Sequence, residues 1–271
     1  MRRWRSLPIL LLATPLPGAD EYPADRVRYD MARATVYFEA GRLTPAEMQR
    51  FAGLVDRGIG DIQAYLGADA TRPGKITFYV STRISMSRAF RRTVLLPLER
   101  VRDDSAPYLH ETTHVLLPSR SDCMWLGEGF ASYAESYISE HIGGYDAAVF
   151  SKGGNREIDG QARRYLATED GRAVLPFVGE CGSPPDVEWE RRRVAAPFYV
   201  LSQSLIKYMV GKAGLEWVKL AHASSDVPAA VEGSTGRALV RWKADWLASL
   251  EKRRAGDEEP VRTVGRPVSV P

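Results

Sequence analysis

Two of the four histidines in the chain lie in one short motif that is typical of a metal site. Residues 110 to 114 read His-Glu-Thr-Thr-His, which is an HExxH pattern. On an α-helix, positions i and i+4 lie on one face, so His110 and His114 can face the same cation. Glu111 lies about 100° further round the helix, where its carboxylate can accept a proton from water and pass it to a leaving amine. The motif therefore predicts two zinc ligands and one general base and acid.

A third zinc ligand is predicted in the segment from Trp125 to Ala131, which reads WLGEGFA. A catalytic zinc site uses three protein ligands and keeps one position open. Thirteen residues separate His114 from Glu128, and the apolar neighbours of Glu128 would bury the start of a second helix. Glu128 is therefore the predicted third ligand. The alternative interpretations are an exposed, charged helix turn at residues 110 to 114 and a Glu128 carboxylate that interacts only with the helix dipole.

The other residues of ligand type carry weaker signals. Glu135 follows Glu128 by seven positions, which is about two helical turns. It therefore shares the face of Glu128 and is predicted to accept a hydrogen bond from a ligating histidine; a solvated glutamate is the alternative. His141 and His222 have no ligand spacing, and we expect them at the surface or partly packed.

Short segments rich in β-branched and aromatic residues predict the strands that precede the metal motif. They span residues 34–40, 75–80 and 93–98. Because Pro97 has no backbone N–H, it belongs at a sheet edge. The third strand, Thr93 to Leu98, is therefore predicted to be an edge strand that could receive an extended peptide.

Helical signals dominate the rest of the chain. Thr44, Pro45 and Glu47 form the start signal of a helix that runs to Leu66. Further helices are predicted at 106–117, 125–142, 195–213, 214–223 and 236–253. The order predicts an α+β fold, with a small mixed sheet, an edge strand beside the HExxH helix and a mainly helical C-terminal part.

The first nineteen residues have the order of features of a secretory signal peptide. Three arginines precede an apolar run from Leu7 to Leu16, and small residues follow up to Ala19. We expect an exported protein, periplasmic or extracellular; an uncleaved segment that holds the protein at the membrane is the alternative. The remaining chain is predicted to form a single domain over 20–253, with a loop-rich insertion at 143–194 and a disordered tail at 254–271.

Composition and charge exclude several classes of protein. With 271 residues, of which 44% are hydrophobic, the chain can bury a sizeable core. Its 37 Lys and Arg residues match its 34 Asp and Glu residues once the three arginines of the signal segment are removed. A nucleic-acid partner would need a basic surface, so none is expected. The apolar run is too short to span a bilayer, and the sequence does not indicate an oligomeric state.

The chain has two cysteines, Cys123 and Cys181. An even count in an exported chain predicts a disulfide, which would stabilise the fold by roughly 4 kcal/mol. The alternative is two separate side chains that behave as small apolar groups.

These motifs together resemble those of gluzincin metallopeptidases, in which HExxH lies on one helix and a glutamate ligand on the next. The segment WLGEGFASYAE, residues 125 to 135, is similar to the WLNEGFA segment of aminopeptidase-N-like enzymes, where the glutamate is the third zinc ligand. The thirteen-residue gap is shorter than in those enzymes or in thermolysin-like enzymes, and is more like that of the small bacterial peptidase-MA-like domains. The resemblance implies a zincin-like fold, one bound Zn²⁺ ion and peptide or protein substrates.

The resemblance continues in the segment from Tyr199 to Tyr208, which is similar to the family helix that opens with a catalytic tyrosine. It implies that Tyr199 hydrogen-bonds the oxyanion of the tetrahedral intermediate; packing within an amphipathic helix is the alternative. There is no GxMEN sequence, the motif that binds the free amino end of a substrate, so aminopeptidase activity is not supported. The chain also lacks the large N-terminal β-domain of the aminopeptidase-N-like enzymes.

The sequence therefore predicts a zinc metallopeptidase that hydrolyses peptide bonds with a zinc-activated water and Glu111 as the base. Its peptide substrate is predicted to lie antiparallel to the edge strand at Thr93 to Leu98. The second hypothesis is a non-catalytic zinc protein that binds peptides or envelope components on a peptidase-like scaffold.

Overall fold

The computed structural model describes residues 25–67, 74–145, 154–182 and 194–257, with only the backbone for the last five of these. The predicted signal peptide lies outside the described residues, as do 258–271 of the predicted tail and parts of the predicted insertion. The domain boundaries expected from the sequence therefore stay predictions.

A mixed sheet of five strands forms the first part of the fold. In chain order the strands are β1 (Arg26–Asp30), β2 (Ala34–Glu39), β3 (Ile76–Ser81), β4 (Arg88–Phe90) and β5 (Thr93–Pro97). Their spatial order is β1-β2-β3-β5-β4. The three central strands run parallel, and the two outer strands pair with them antiparallel. The three strands predicted from the sequence are thus confirmed to within one residue at each end.

The two edge strands of the sheet are β1 and β4, so the prediction that Thr93 to Leu98 forms an edge was wrong. Strand β5 lies between β3 and β4, and β4 pairs with it from Thr93 to Leu95. Pro97 lies opposite Ser81 of β3, beyond the part of β5 that pairs with β4. Its missing N–H therefore removes no bond to β4, and proline is tolerated in an interior strand.

The first helix is confirmed as predicted and is held against the sheet. Helix α1 (Pro45–Leu66) begins with the capping box of Thr44 and Glu47. Its apolar stripe is buried, with Met48, Phe51, Val55, Ile59, Ile62 and Leu66 as members. The ring of Phe51 contacts Phe38 of β2 edge-on, with centroids 6.2 Å apart. The helix thus fills the space between the sheet and the helices that follow.

The second part of the fold is helical. The helices are α2 (Leu98–Arg102), α3 (Tyr108–Leu116), α4 (Met124–His141), α5 (Gly154–Leu166), α6 (Glu169–Val174), α7 (Ala195–Ala213), α8 (Glu216–His222), α9 (Val227–Thr235) and α10 (Leu239–Asp257). The five predicted helices are confirmed within a few residues, while α2 and α9 were not predicted. Within the described ranges, no helix combines the length and apolar character needed to cross a membrane.

Helix α3, which carries the HExxH motif, packs closely against α1 as well as α4. The rings of Phe51 and Tyr108 meet edge-on at 5.5 Å. A Cβ atom at Gly58 of α1 would lie 2.6 Å from the Cδ2 atom of Leu109, so a larger residue there would force the Leu109 side chain to move. The absence of a side chain at Gly58 therefore lets α3 approach α1 next to His110.

Candidate metal centre

Three predicted ligands converge between α3 and α4. His110 and His114 lie one turn apart on α3, and Glu128 lies in the first two turns of α4. The Nε2 atoms of the two histidines are 3.1 Å apart. An Oε2 atom of Glu128 lies 3.1 Å from the Nε2 atom of His110 and 3.5 Å from that of His114. In the part of the chain that the structure describes, this is the one such group of three potential ligands.

The geometry of this group fits zinc. Three ligand atoms on a tetrahedron with bonds of about 2.0 to 2.1 Å would lie about 3.3 to 3.4 Å from one another. The observed separations of 3.1, 3.1 and 3.5 Å span this value. Two imidazole nitrogens and one carboxylate oxygen are also a donor set that zinc accepts, with one tetrahedral position left for a water or substrate.

The charges in the site favour a bound cation. Burial alone would lower the pKa of His110, but the hydrogen bond and negative charge of Glu128 raise it to about 9. Burial alone would raise the pKa of Glu128, but the two histidines hold it well below its ordinary value. In the metal-free protein, a proton on His110 therefore supplies the positive charge that a metal would supply.

Glu111 is buried beside this group. Burial raises the pKa of its carboxyl, although the charges of His110 and His114 oppose the rise. A carboxylate with a raised pKa is better matched to accepting and returning a proton near neutral pH. The position and environment of Glu111 therefore suit the role of base and acid that the motif predicts.

Two residues of α4 that are not predicted metal ligands, Ser132 and Glu135, contact His110. The hydroxyl of Ser132 lies 3.4 Å from the Nδ1 atom of His110. Glu135 is buried and interacts with the backbone amide of His110, while burial raises its pKa to about 7. No side chain caps the start of helix α3. The carboxyl group of Glu135 accepts a hydrogen bond from one of the free backbone amides in its first turn, that of His110. Sequence reasoning missed Ser132, although its i+4 spacing from Glu128 was a usable signal.

Tyr199 lies next to the ligand group, near the start of α7. Its ring centroid is 6.0 Å from that of His110. Burial, together with the charge of the neighbouring Glu128 carboxylate, raises the pKa of the phenol well above its ordinary value. The phenol therefore remains protonated and is a hydrogen-bond donor beside the metal centre.

A close approach between α4 and α7 sets the distance of Tyr199 from Glu128. A Cβ atom at Gly129 would lie 2.8 Å from both the backbone carbon and the Cβ atom of Ser202. Because Gly129 directly follows Glu128 and Ser202 lies one turn after Tyr199, this contact holds the two functional side chains side by side.

The two cysteines are bonded to each other. Cys123 directly precedes the first residue of α4, and Cys181 lies beyond α6 with its Cα atom 4.0 Å away. Cys123 also forms an isolated β-bridge with Gly182. The disulfide therefore anchors the start of the helix that carries Glu128.

The two remaining histidines lie outside the ligand group. His141 is exposed and stacks on Tyr137 with ring centroids 4.1 Å apart, and its Nδ1 atom donates to the Tyr137 carbonyl at 2.9 Å. His222 at the end of α8 is fully buried, contrary to the expectation of a surface or partly packed residue.

Comparison with solved structures finds M1 zinc metallopeptidases. A mutant of the enzyme from Deinococcus radiodurans, bound to a Tyr-Ser-Ala substrate, superposes with a TM-score of 0.51 at 16% identity, over 83% of this chain and 51% of that chain. A two-domain M1 mutant bound to L-tryptophan gives 0.49 at 15% identity, over 83% and 52%. The enzyme from Deinococcus radiodurans without a named ligand gives 0.43 at 18%, over 88% and 53%.

The first of these similarities supports a zincin-like α+β fold, as predicted from the sequence. At this identity the likeness concerns the fold alone. The chain spans about half the length of the enzymes it resembles. No family model and no curated protein sequence matches it.

Proposed function

We propose that this protein is a zinc metallopeptidase in which His110, His114 and Glu128 hold one zinc ion. The observation that carries the proposal is the convergence of three donor atoms, 3.1 to 3.5 Å apart, on one point. The M1 zinc metallopeptidase with the Tyr-Ser-Ala substrate adds support at the level of the fold.

Each residue of the site has a separate task in the proposed reaction. Zinc, when bound, would supply a Lewis acid that polarises the scissile carbonyl and lowers the pKa of water. Glu111 accepts the proton of the attacking water and returns it to the leaving amine. The protonated phenol of Tyr199 donates a hydrogen bond to the oxygen on which negative charge develops.

The substrate is proposed to bind as an extended peptide along β4. This strand is the last in the sheet, and both β4 and β5 pack against α3. An extended peptide can add to such an edge through main-chain hydrogen bonds. A structure with a peptidic inhibitor that lies away from β4 would contradict this placement.

We also propose that the protein is exported and works outside the cytoplasm. The disulfide between Cys123 and Cys181 supports this, because structural disulfides persist in oxidising compartments. Mass determination of the protein purified from its native cell envelope would test it; an unprocessed chain in the cytosol would contradict it.

Zinc content and peptide cleavage of a Glu111→Gln variant test the proposed activity. We expect wild type to bind one zinc and to cleave members of a diverse peptide library. The variant should retain zinc but lose about 100-fold to 10,000-fold of the turnover, because it cannot accept the proton. Glu232→Gln is the control, since Glu232 is exposed on α9. Zinc binding without cleavage in any form would favour the binding protein instead.

A further inference from the structure

A buried amide side chain joins the helix of Tyr199 to the helices that pack against it. Gln203 lies on α7, four residues after Tyr199, and is 0% exposed. Its Nε2 group donates to the hydroxyl of Ser136 on α4 at 3.0 Å and to Oδ1 of Asn155 on α5 at 2.9 Å. Asn155 in turn donates through Nδ2 to the backbone carbonyl of Tyr133 on α4 at 3.0 Å. These hydrogen bonds link α4, α5 and α7 to one another.

The amide of Gln203 is not the side chain that stability alone would favour. Its Oε1 atom is buried and has no hydrogen-bond partner within the described residues. Burying an acceptor without a partner is unfavourable, so the presence of an amide here calls for a physical reason. A buried polar network imposes one arrangement on the elements that it joins, because a shifted arrangement leaves more polar groups unpaired. Gln203 therefore fixes how α7 is placed on α4.

Helix α7 meets α4 with the face that carries Tyr199. Tyr199 and Gln203 are four residues apart, so they lie on one face of α7. The phenol of Tyr199 donates a hydrogen bond to the carboxylate of Glu128. Ser202 lies against Gly129, the next residue of α4, where an added Cβ atom would be 2.8 Å from the Cβ atom of Ser202. The hydrogen bond from Gln203 belongs to the same contact between the two helices, further along both of them.

The proposed role of Tyr199 depends on an accurate placement of α7. A donor to the developing oxyanion acts only when it lies about 2.7 to 3.1 Å from that oxygen. A displacement of about 1 Å can lower turnover by about 100-fold. No side chain caps the start of α7, so the placement of Tyr199 depends on the contacts that its helix makes further along.

We propose that Gln203 is a positioning residue for the proposed reaction. Through its hydrogen bonds to Ser136 and Asn155, it holds α7 on α4 so that the phenol of Tyr199 meets the oxyanion. This inference rests on the proposed function. Because the predicted zinc ligands lie on α3 and α4, the role predicts an effect on turnover without an effect on zinc affinity.

The variant Gln203→Leu, made in wild type and in Tyr199→Phe, tests the proposal. Leucine fills much of the same space but cannot donate a hydrogen bond. In wild type it should lower kcat by about 10-fold to 100-fold, while KM and zinc affinity stay the same. In Tyr199→Phe the same substitution should lower kcat by less than about 2-fold, because the donor that Gln203 positions is already missing. Steady-state kinetics on a cleaved library peptide and competition against a chelator give these values.

Ser204→Ala is the matched control. Ser204 is also buried on α7, but its hydroxyl donates to Asp159 of α5 at 2.9 Å and accepts from Trp246 of α10 at 2.9 Å. The variant therefore loses buried hydrogen bonds of α7 that do not involve α4. It should unfold at a lower temperature and keep the kcat of wild type. A loss of kcat equal to that of Gln203→Leu would overturn the inference, because any loss of buried hydrogen bonds in α7 would then have the same effect.

The remaining outcomes separate this inference from the proposed function. An unchanged kcat in Gln203→Leu, or the same fold-loss with and without the hydroxyl of Tyr199, would overturn the inference alone. A Tyr199→Phe variant with the kcat of wild type would also overturn it. If Gln203→Leu does not fold, Ser136→Ala decides: it should lower kcat by about 3-fold in wild type and leave it unchanged in Tyr199→Phe, and equal effects in both would contradict the proposal. A wild-type protein that cleaves no peptide would overturn both the inference and the proposed function.

Discussion

Two carboxylates in this molecule, Glu39 in the sheet and Glu128 in the metal centre, are surrounded in different ways. Glu39 accepts hydrogen bonds from the Ser81 hydroxyl at 2.9 Å and from the amide and hydroxyl of Thr82 at 2.8 Å each. Arg42 adds a fourth donor at 3.1 Å. Every donor around Glu39 belongs to the fold, and together they tie the end of β2 to the end of β3.

Glu128 is surrounded instead by the other residues of the candidate site. Its carboxylate lies against the Nε2 atoms of His110 and His114, which also face each other at 3.1 Å, and it accepts a hydrogen bond from the phenol of Tyr199. Two imidazole nitrogens and one carboxylate oxygen lie close enough to share a metal ion, and in the metal-free protein a proton on His110 balances the carboxylate. The difference teaches that a carboxylate satisfied by the fold stabilises the protein, whereas one that needs a ligand marks the functional site.

Replacing both carboxylates separately gives the sharpest test of this difference. Glu128→Ala should lower zinc affinity by about 1000-fold or more, because one of three protein ligands is lost. The metal-free variant should remain folded. Glu39→Gln should keep the zinc affinity of wild type but lower the free energy of unfolding by about 1 to 3 kcal/mol, since hydrogen bonds to a charged acceptor are lost. Chelator competition and urea unfolding of both variants measure the two effects, and a shared loss of both properties would contradict the comparison.

Tyr199→Phe separates catalysis from metal binding. Loss of a donor to the developing oxyanion should lower kcat by about 100-fold to 1000-fold. Zinc affinity and KM should change little, because the phenol is not one of the ligands. Steady-state kinetics on a cleaved library peptide give the result. A KM effect without a kcat effect would instead place Tyr199 in substrate binding.

Gly129→Ala should move α7 relative to α4. The added Cβ would meet Ser202 at 2.8 Å, so we expect the free energy of unfolding to fall by about 1 to 3 kcal/mol. Turnover should fall as well, because Tyr199 is displaced from Glu128. Gly211→Ala on α7 is the matched control: outside its own stretch of helix, no described residue has an atom within 4 Å of the added Cβ, and the free energy of unfolding should rise by about 0.5 to 1 kcal/mol. Equal effects of the two substitutions would disprove the role of the close approach.

The smallest expected effect is on how the free energy of unfolding changes at acid pH. Burial alone would raise the pKa of Glu39, but the hydrogen bonds from Thr82, Ser81 and Arg42 outweigh it and lower the pKa from 4.5 to about 2. A lowered pKa in the folded state means that the contribution of Glu39 is complete above pH 4.5 and is lost as the pH falls towards 2. The stability difference between wild type and Glu39→Gln should therefore shrink over this range. A constant difference in acid unfolding experiments would contradict the assignment.

Much of the fold was predictable because its signals are local. The capping box at Thr44 and the stripe from Met48 to Leu66 need only neighbours in sequence, and both are present in α1. The three-residue strand β4 was not predicted because three residues do not establish a period. Pro97 by itself indicates a sheet edge, because the pairing of β4 with Thr93 to Leu95 has no local signal in the sequence.

In the candidate site, too, the residues with local sequence signals were predictable and the others were not. His110, His114 and Glu128 were found because helical spacing brings i and i+4 together and because the glutamate lies in a distinctive segment. The neighbours of His110 were harder to predict, since Glu135 and Ser132 lie on the same face of α4 and only the packing of α3 decides which one meets the ring. His222 comes from a distant helix, so no local pattern predicts that its ring is buried against Phe130.

The position of a zinc ion relative to the three ligand atoms tests the central claim most directly. Crystals of the zinc-loaded protein, measured at the zinc absorption edge, should give one anomalous peak at about 2.0 to 2.2 Å from His110 Nε2, His114 Nε2 and a Glu128 oxygen. A protein that takes up no zinc, or a peak elsewhere with the three side chains apart, would contradict the account.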